Sequence, residues 1–194
     1  MKLVVGLGNP GQQYSETRHN VGYDVTSELA LRWNAPRAQV KFQAEIQESF
    51  QQAAKVLLVR PLTYMNNSGQ SIVQIVRYFQ VAPDDVLVIC DDMNLPLGKL
   101  RWRASGSAGG QKGLADILQK LATENVPRLR LGIGRPPGQQ DPAAFVLQRF
   151  RSTEKELVEL TKKKAADSVE FWLSTGIASV MNRYNRDDSA AEGL

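Results

Sequence analysis

Four short apolar runs, rich in Val, Leu and Ile and separated by stretches of helical periodicity, constrain this chain more than any other feature. They are Leu3-Val4-Val5, Lys55-Val56-Leu57-Leu58-Val59, Val86-Leu87-Val88-Ile89-Cys90 and Arg128-Leu129-Arg130-Leu131-Gly132-Ile133. A run of this length without alternation suits a strand buried on both faces, and the first three are expected at the centre of a sheet. Helical patterns lie between them at Val21 to Trp33, Ser71 to Phe79 and Leu114 to Leu121, and a longer one runs from Thr153 to about Leu173 with a shorter continuation to Tyr184. Strands interleaved with helices imply an α/β sandwich: a single domain around a partly parallel sheet flanked by helices. Gln39 to Phe50 alternates weakly and is expected to pair with the Lys55 strand as an antiparallel hairpin, which would make the sheet mixed.

The 194 residues suit one domain, residues 1–185, and 42% hydrophobic content is enough for a substantial core. The polar tail, residues 186–194, is expected to be disordered. No run of about 18 apolar residues and no cleavable signal pattern occur, so the expectation is a soluble, cytoplasmic protein without a membrane partner. A lone cysteine, Cys90, excludes an internal disulfide, and one His with one Cys makes a structural zinc site implausible. Neither a metal nor a cofactor is expected, and the default assembly is a monomer. The 24 Lys and Arg exceed the 20 Asp and Glu to give +4, which mildly favours a polyanionic partner.

The single histidine, His19, follows the first strand in a loop rich in Gly and Asn. A lone histidine is more often packed or solvated than catalytic, but its unperturbed pKa of about 6.5 suits a base at neutral pH. Polar loops leaving strands are also where α/β proteins keep their chemistry. Gly6-Leu7-Gly8-Asn9-Pro10-Gly11 formally satisfies the dinucleotide fingerprint G-x-G-x-x-G. Pro10 lacks an amide donor, the segment Gln12 to Glu16 is too polar for the helix that should follow, and no acidic residue closes a second strand about 20 residues on. The stretch reads instead as a bent loop holding Asn9 and His19 over the sheet edge, and no nucleotide cofactor is expected.

Three further clusters follow later strands. In Arg60-Pro61-Leu62-Thr63-Tyr64-Met65-Asn66-Asn67-Ser68-Gly69, a helix N-cap is the default for any one of Asn66, Asn67 and Ser68, although a carboxamide can also hold a peptide group or an oxyanion. Asp91-Asp92 could bind magnesium or lie solvated in a turn, but a carboxylate fixing the His19 imidazole fits the rest of the chain better. Lys99-Leu100-Arg101-Trp102-Arg103 places three cations on one strand face and Leu100 with Trp102 on the other. A solvated face is a strong competing reading. The flexible loop Ser105 to Gly113, which is not a Walker A loop because Gln111 stands where a glycine is required, could add backbone amides for phosphate. Neither G-x-S-x-G nor an exposed cysteine offers a nucleophile, which leaves water.

Taken in order, these stretches resemble the bacterial-type peptidyl-tRNA hydrolase family. The resemblance rests on Val5 to Gly11, Tyr14 with Thr17 to Gly22, Pro61 to Asn66 with Ser68-Gly69, Asp91-Asp92 with Leu95-Pro96 and Gly98, and Arg128 to Gly134. It implies hydrolysis of the ester between a peptide, or an N-blocked amino acid, and the terminal ribose of tRNA, recycling tRNA from stalled translation. By motif position it makes His19 the general base and Asp91 its orienting partner. Asn9 and Asn66 would position the substrate carbonyl, the peptide backbone or the tRNA end, Tyr14 and Met65 would line the cleft, and Arg103 and Arg130 would clamp phosphate. Where many members have Gly-Gly-His-Asn-Gly, this chain has Gly109-Gly110-Gln111-Lys112-Gly113, so the substrate-binding asparagine is Lys112, which can donate but not accept. The alternative is a non-catalytic RNA-binding paralogue resembling the intron-splicing factors of this fold, which would tolerate loss of the base or its partner.

Overall fold

The computed structural model describes residues 1–186, so the expectation about the tail lies, from residue 187 onward, outside the described residues. The strands are β1 (Lys2–Gly6), β2 (Gln39–Lys41), β3 (Ala44–Gln51), β4 (Ala54–Pro61), β5 (Val86–Asp92), β6 (Leu100–Arg103) and β7 (Arg128–Gly132). They form one mixed sheet in the order β2-β3-β4-β1-β5-β7-β6. The three runs expected at the centre are there: β1 pairs in parallel with β4 and β5, and β5 with β7. Every residue of β5 is buried, as the unbroken apolar run requires.

The expected hairpin is present between β3 and β4, with Ala44 opposite Pro61 and Gln51 opposite Ala54. The stretch Gln39 to Phe50 contains a second hairpin, because Phe42 and Gln43 take positive φ and separate β2 from β3. Gln52 and Ala53 do the same between β3 and β4. Two central residues with positive φ are the primed turns that match strand twist, here formed without the Asn-Gly or Asp-Gly pair that signals them in sequence.

The helices are α1 (Val21–Arg32), α2 (Ser68–Phe79), α3 (Lys112–Leu121), α4 (Pro142–Val146) and α5 (Ser152–Tyr184). Side-chain alternation along the strands divides the interior into two layers. Val4, Leu58, Leu87 and Ile89 pack with α1 and α5 through Val25, Leu29, Val169 and Trp172. Leu3, Leu57, Val86 and Val88 pack with α2 and α3 through Ile72, Ile75, Leu114 and Ile117. The result is the expected α/β sandwich with helices on both faces.

Two helices begin earlier than the periodicity suggests, α2 at Ser68 and α3 at Lys112. Their first turns contain Gly69 and Gly113, kept for close approach: a Cβ would lie 2.4 Å from Asp116 O at Gly69 and 2.5 Å from Met65 Sδ at Gly113. α5 is interrupted at Gly176, with φ 81°, close to where the pattern divides after Leu173. After β1 the chain makes 3₁₀ turns at Gln12–Tyr14 and Arg18–Asn20 before α1 begins, so the glycine loop does not open a dinucleotide-binding helix. Among the described residues no helix is long and apolar enough to cross a membrane.

Candidate active site

Gly22, in the first turn of α1, determines where the histidine sits. A Cβ there would lie 2.4 Å from Ile89 O, so only glycine lets the helix start rest directly on the ends of β1 and β5. The preceding turn, Arg18–Asn20, is thereby carried over the last residues of β5. His19 Nδ1 lies 2.9 Å from Asp91 Oδ2 and 3.0 Å from Oδ1. The Asp91 side chain is 4% exposed and that of His19 13%, so the acid is covered while the ring reaches a cleft.

Asparagines stitch the neighbouring loops together. Asn9 N donates to Asn20 Oδ1 and Asn20 Nδ2 donates back to Asn9 O, both at 2.9 Å. Met65 N donates to Asn9 Oδ1 at 2.8 Å. Because a backbone N–H can only donate, this bond fixes the Asn9 amide with its Nδ2 donor as the end left for the cleft. The loop after β1, the turn bearing His19 and the turn before α2 therefore share one buried network.

The cleft holds about 700 Å³ and is walled by Asn9, His19, Tyr64, Met65, Asn66, Asp91, Asp92 and the Gly109–Lys112 loop, closed on its far side by Val146 and Leu147 around α4. Of the residues expected in it, Asn9, His19, Met65, Asn66, Asp91 and Lys112 are brought together. Tyr14 is not in the wall; it stands one ring back, edge-on to the exposed Tyr64 with centroids 6.3 Å apart. Asn66 does not cap α2 and is exposed with its carboxamide open to the cleft. Lys112 is an exposed cation at the start of α3.

The two adjacent carboxylates diverge rather than converge. Asp91 faces His19, whereas Asp92 Oδ2 accepts from Arg130 at 3.0 Å and its Oδ1 from Asn94 N at 2.7 Å. This division favours the imidazole-orienting reading of Asp91 over a shared cation. Burial pushes the Cys90 thiol up, which agrees with its reading as a packed residue and not a nucleophile.

Sequence reasoning missed two partners in this site. Gln111, 8% exposed, reaches both Asp91 and Met65, and Asn20 holds Asn9. Asn20 stood beside His19 in the Thr17 to Gly22 motif with no role attached to it. Gln111 was visible only as a departure from a family pattern.

Beside the cleft, a basic recess of about 360 Å³ is lined by Arg101, Arg103, Arg128 and Arg130 with Asp92 and Ser105 to Ser107. The antiparallel register sets Arg101 opposite Arg130 and Arg103 opposite Arg128, so the stripe read along β6 is doubled by β7. Trp102 and Leu100 point inward, as expected. Arg128 is 1% exposed and donates to the carbonyls of Val126, Gly106, Ser107 and Glu124. Burial first, and Arg130 second, lower its pKa, and its donors are used on the loop. Arg103 is exposed, and Arg130 is partly balanced by Asp92. A different recess, of about 530 Å³, lies at the opposite ends of the strands beside the Lys2–Asp85 ion pair and Trp172, with neither His19 nor Asp91 in its lining.

The model of the family described as Peptidyl-tRNA hydrolase matches residues 3–192. The peptidyl-tRNA hydrolase of Rhodopirellula baltica is 47% identical over 185 residues, covering 95% of this chain and 97% of that protein. The chain belongs to the peptidyl-tRNA hydrolase family. The family's member from Geobacillus kaustophilus is 45% identical over 185 residues, covering 95% of this chain and all of its own. The crystal structure of peptidyl-tRNA hydrolase from Acinetobacter baumannii matches with a TM-score of 0.90 at 33% identity, over 95% of this chain and 94% of that one. Gln111 and Lys112 sit side by side in the cleft wall.

Proposed function

We propose that this cleft hydrolyses the ester joining a peptide, or an N-blocked amino acid, to the terminal ribose of tRNA, with His19 as general base. The observation that carries the reading is the 2.9 Å contact between His19 Nδ1 and Asp91 Oδ2. An ionised carboxylate only accepts, so Nδ1 carries the ring hydrogen and the Nε2 lone pair is left for the cleft. A water gives its proton to Nε2 as its oxygen bonds to the ester carbonyl carbon. The tetrahedral intermediate then breaks its bond to the ribose oxygen, and His19 returns the proton to that leaving group. Asp91 holds the ring and stabilises the transient imidazolium. No step calls for a covalent enzyme intermediate, a metal or a nucleotide cofactor.

Other residues divide the substrate between them. Asn9 offers only its Nδ2 donor and suits the developing oxyanion. Asn66, with donor and acceptor both open, suits a peptide amide. Tyr64, backed by Tyr14, and Met65 supply apolar wall near the scissile bond. Lys112 contributes a donor to a substrate carbonyl or to a tRNA phosphate. Arg103 and Arg130 engage the phosphodiester backbone, supported by the basic recess they line. The proposal extends to a monomer acting in translation on tRNA in the cytoplasm. No observation favours the non-catalytic RNA-binding alternative.

The test is incubation with N-acetyl-aminoacyl-tRNA beside its unblocked counterpart. Wild-type protein should cleave the blocked ester selectively, and His19→Ala should abolish turnover while leaving tRNA affinity nearly intact. Equal loss of turnover and affinity would point to a folding role for His19 and defeat the assignment.

A further inference from the structure

We propose that Gln111 is a positioning residue for the reaction, holding Asp91 in the orientation that serves His19; the inference rests on the general-base reading above. The amide is held at both ends. Its Oε1 accepts from Leu114 N at 2.7 Å as the side-chain cap of α3, and its Nε2 donates to Asp91 Oδ1 at 3.1 Å with Met65 Sδ also 3.1 Å away. The cap removes any ambiguity about which end is which. Leu114 N–H can only donate, so the oxygen must face it, and the NH₂ must face the carboxylate.

Two donors from different elements therefore converge on one buried acid: His19 from the turn before α1, and Gln111 from the start of α3. Without the second donor, one carboxylate oxygen would lose a buried hydrogen bond, and the acid would be free to rotate about χ2 away from the ring. Because Gln111 is anchored by the first turn of a helix packed into the core through Leu114 and Ile117, it transmits the rigidity of that helix to Asp91. A glutamine at this position also adds no titratable group of its own. Among the described residues, the charged groups that share the cleft with the pair are then Asp92 on β5, bound to Arg130 on β7, Lys112 on α3 and Asp141 before α4, while Arg18 on the histidine's own turn is paired with Glu154.

Capping and positioning can be separated with two substitutions. Gln111→Glu keeps an acceptor for Leu114 N but replaces the donor with a second acid against Asp91. Gln111→Ser also caps well but is too short to reach Asp91. Steady-state kinetics on N-acetyl-aminoacyl-tRNA across pH, with the thermal midpoint of each variant, provides the readout. For Gln111→Glu we expect kcat at neutral pH to fall about tenfold or more, with KM within about twofold, because only the acid–base pair is disturbed. The acid limb of its profile should move to higher pH by about one unit, since added negative charge favours the imidazolium. Gln111→Ser should lower kcat with little change in KM, a modest fall in midpoint from the buried hydrogen bond lost at Asp91, and no displacement of the limb. Wild-type kcat and an unmoved limb in Gln111→Glu, with unchanged kcat in Gln111→Ser, would reduce Gln111 to a helix cap and overturn the inference. Wild-type and His19→Ala enzymes run alongside separate the two readings: if wild type cleaves and His19→Ala does not, a negative result falls on Gln111 alone.

Discussion

Gln111 also decides what an amide does at position 91. Its NH₂ donates to one oxygen of that side chain, so in Asp91→Asn the new carbonyl oxygen is drawn toward Gln111 and the new NH₂ toward His19 Nδ1. The ring then accepts at Nδ1 and carries its hydrogen at Nε2, where a general base needs a lone pair. Turnover should fall by about 10²–10⁴-fold with KM nearly unchanged, measured as kcat and KM on blocked aminoacyl-tRNA. Recovery on adding a divalent metal would instead mark the carboxylates as ligands. His19 and Asp91 were legible in the sequence because each carries its own chemistry at the end of a recognisable strand. Gln111 was not, because an amide has no chemistry of its own until a loop delivers it to a partner 20 residues away. Tyr64 escaped for a related reason: its neighbour Tyr14 matched the family motif, yet the loop before α2 puts Tyr64 in the wall and Tyr14 behind it.

Between elements, the turn bearing His19 is fastened by Arg18. Its guanidinium lies 4.5 Å from the Phe145 ring centroid and 4.7 Å from that of Phe150, donates to Ile133 O at 3.3 Å, and pairs with Glu154 Oε2 at 2.6 Å. α4, the first turn of α5 and the loop after β7 thus meet on the residue before the proposed base. At Glu154, burial disfavours the charge, but hydrogen bonds from Arg151 N and Arg18 outweigh it and lower the pKa below its usual 4.5. A depressed folded-state pKa means the stabilisation is fully present above about pH 4.5 and is lost as pH falls through the lower folded value. Glu154→Gln should therefore lower stability at pH 7 by about 1–3 kcal/mol, since a charge-assisted bond is lost and Arg18 stays buried. The wild-type–variant difference in urea midpoint should shrink in acid; a constant difference from pH 7 to pH 3 would exclude an ionic contribution. Elements of this size were largely readable: the central strands announced themselves as apolar runs, and α1 and α5 by periodicity. The hairpin turns were hidden because Phe42-Gln43 and Gln52-Ala53 adopt positive φ without glycine or asparagine, and α4, at five residues, is too short to show a period.

Across the whole molecule, an excess of four positive charges is unremarkable until the sheet register concentrates it. Like charges directly opposite on neighbouring strands are destabilising, yet β6 and β7 place arginine against arginine twice. One of the four, Arg128, is spent on loop carbonyls and keeps the Gly106–Ser107 segment in place; Arg130 is half-balanced by Asp92; and Arg103 stands exposed at the outer end of the row. A surface that tolerates such repulsion is suited to a partner that relieves it, and a phosphodiester chain does so by releasing its counterions as the arginines take their place. If Arg103 takes one phosphate, Arg103→Ala should raise KM for peptidyl-tRNA at low salt and reduce the slope of log KM against log salt by about one, with kcat little changed. Lys163→Ala, which removes an exposed cation from α5, alters the net charge equally and should leave the slope at its wild-type value. Equal slopes in the wild type and Arg103→Ala would remove Arg103 from the RNA contact, and equal changes in both variants would mean that the protein's overall charge, not the register of two strands, steers the substrate.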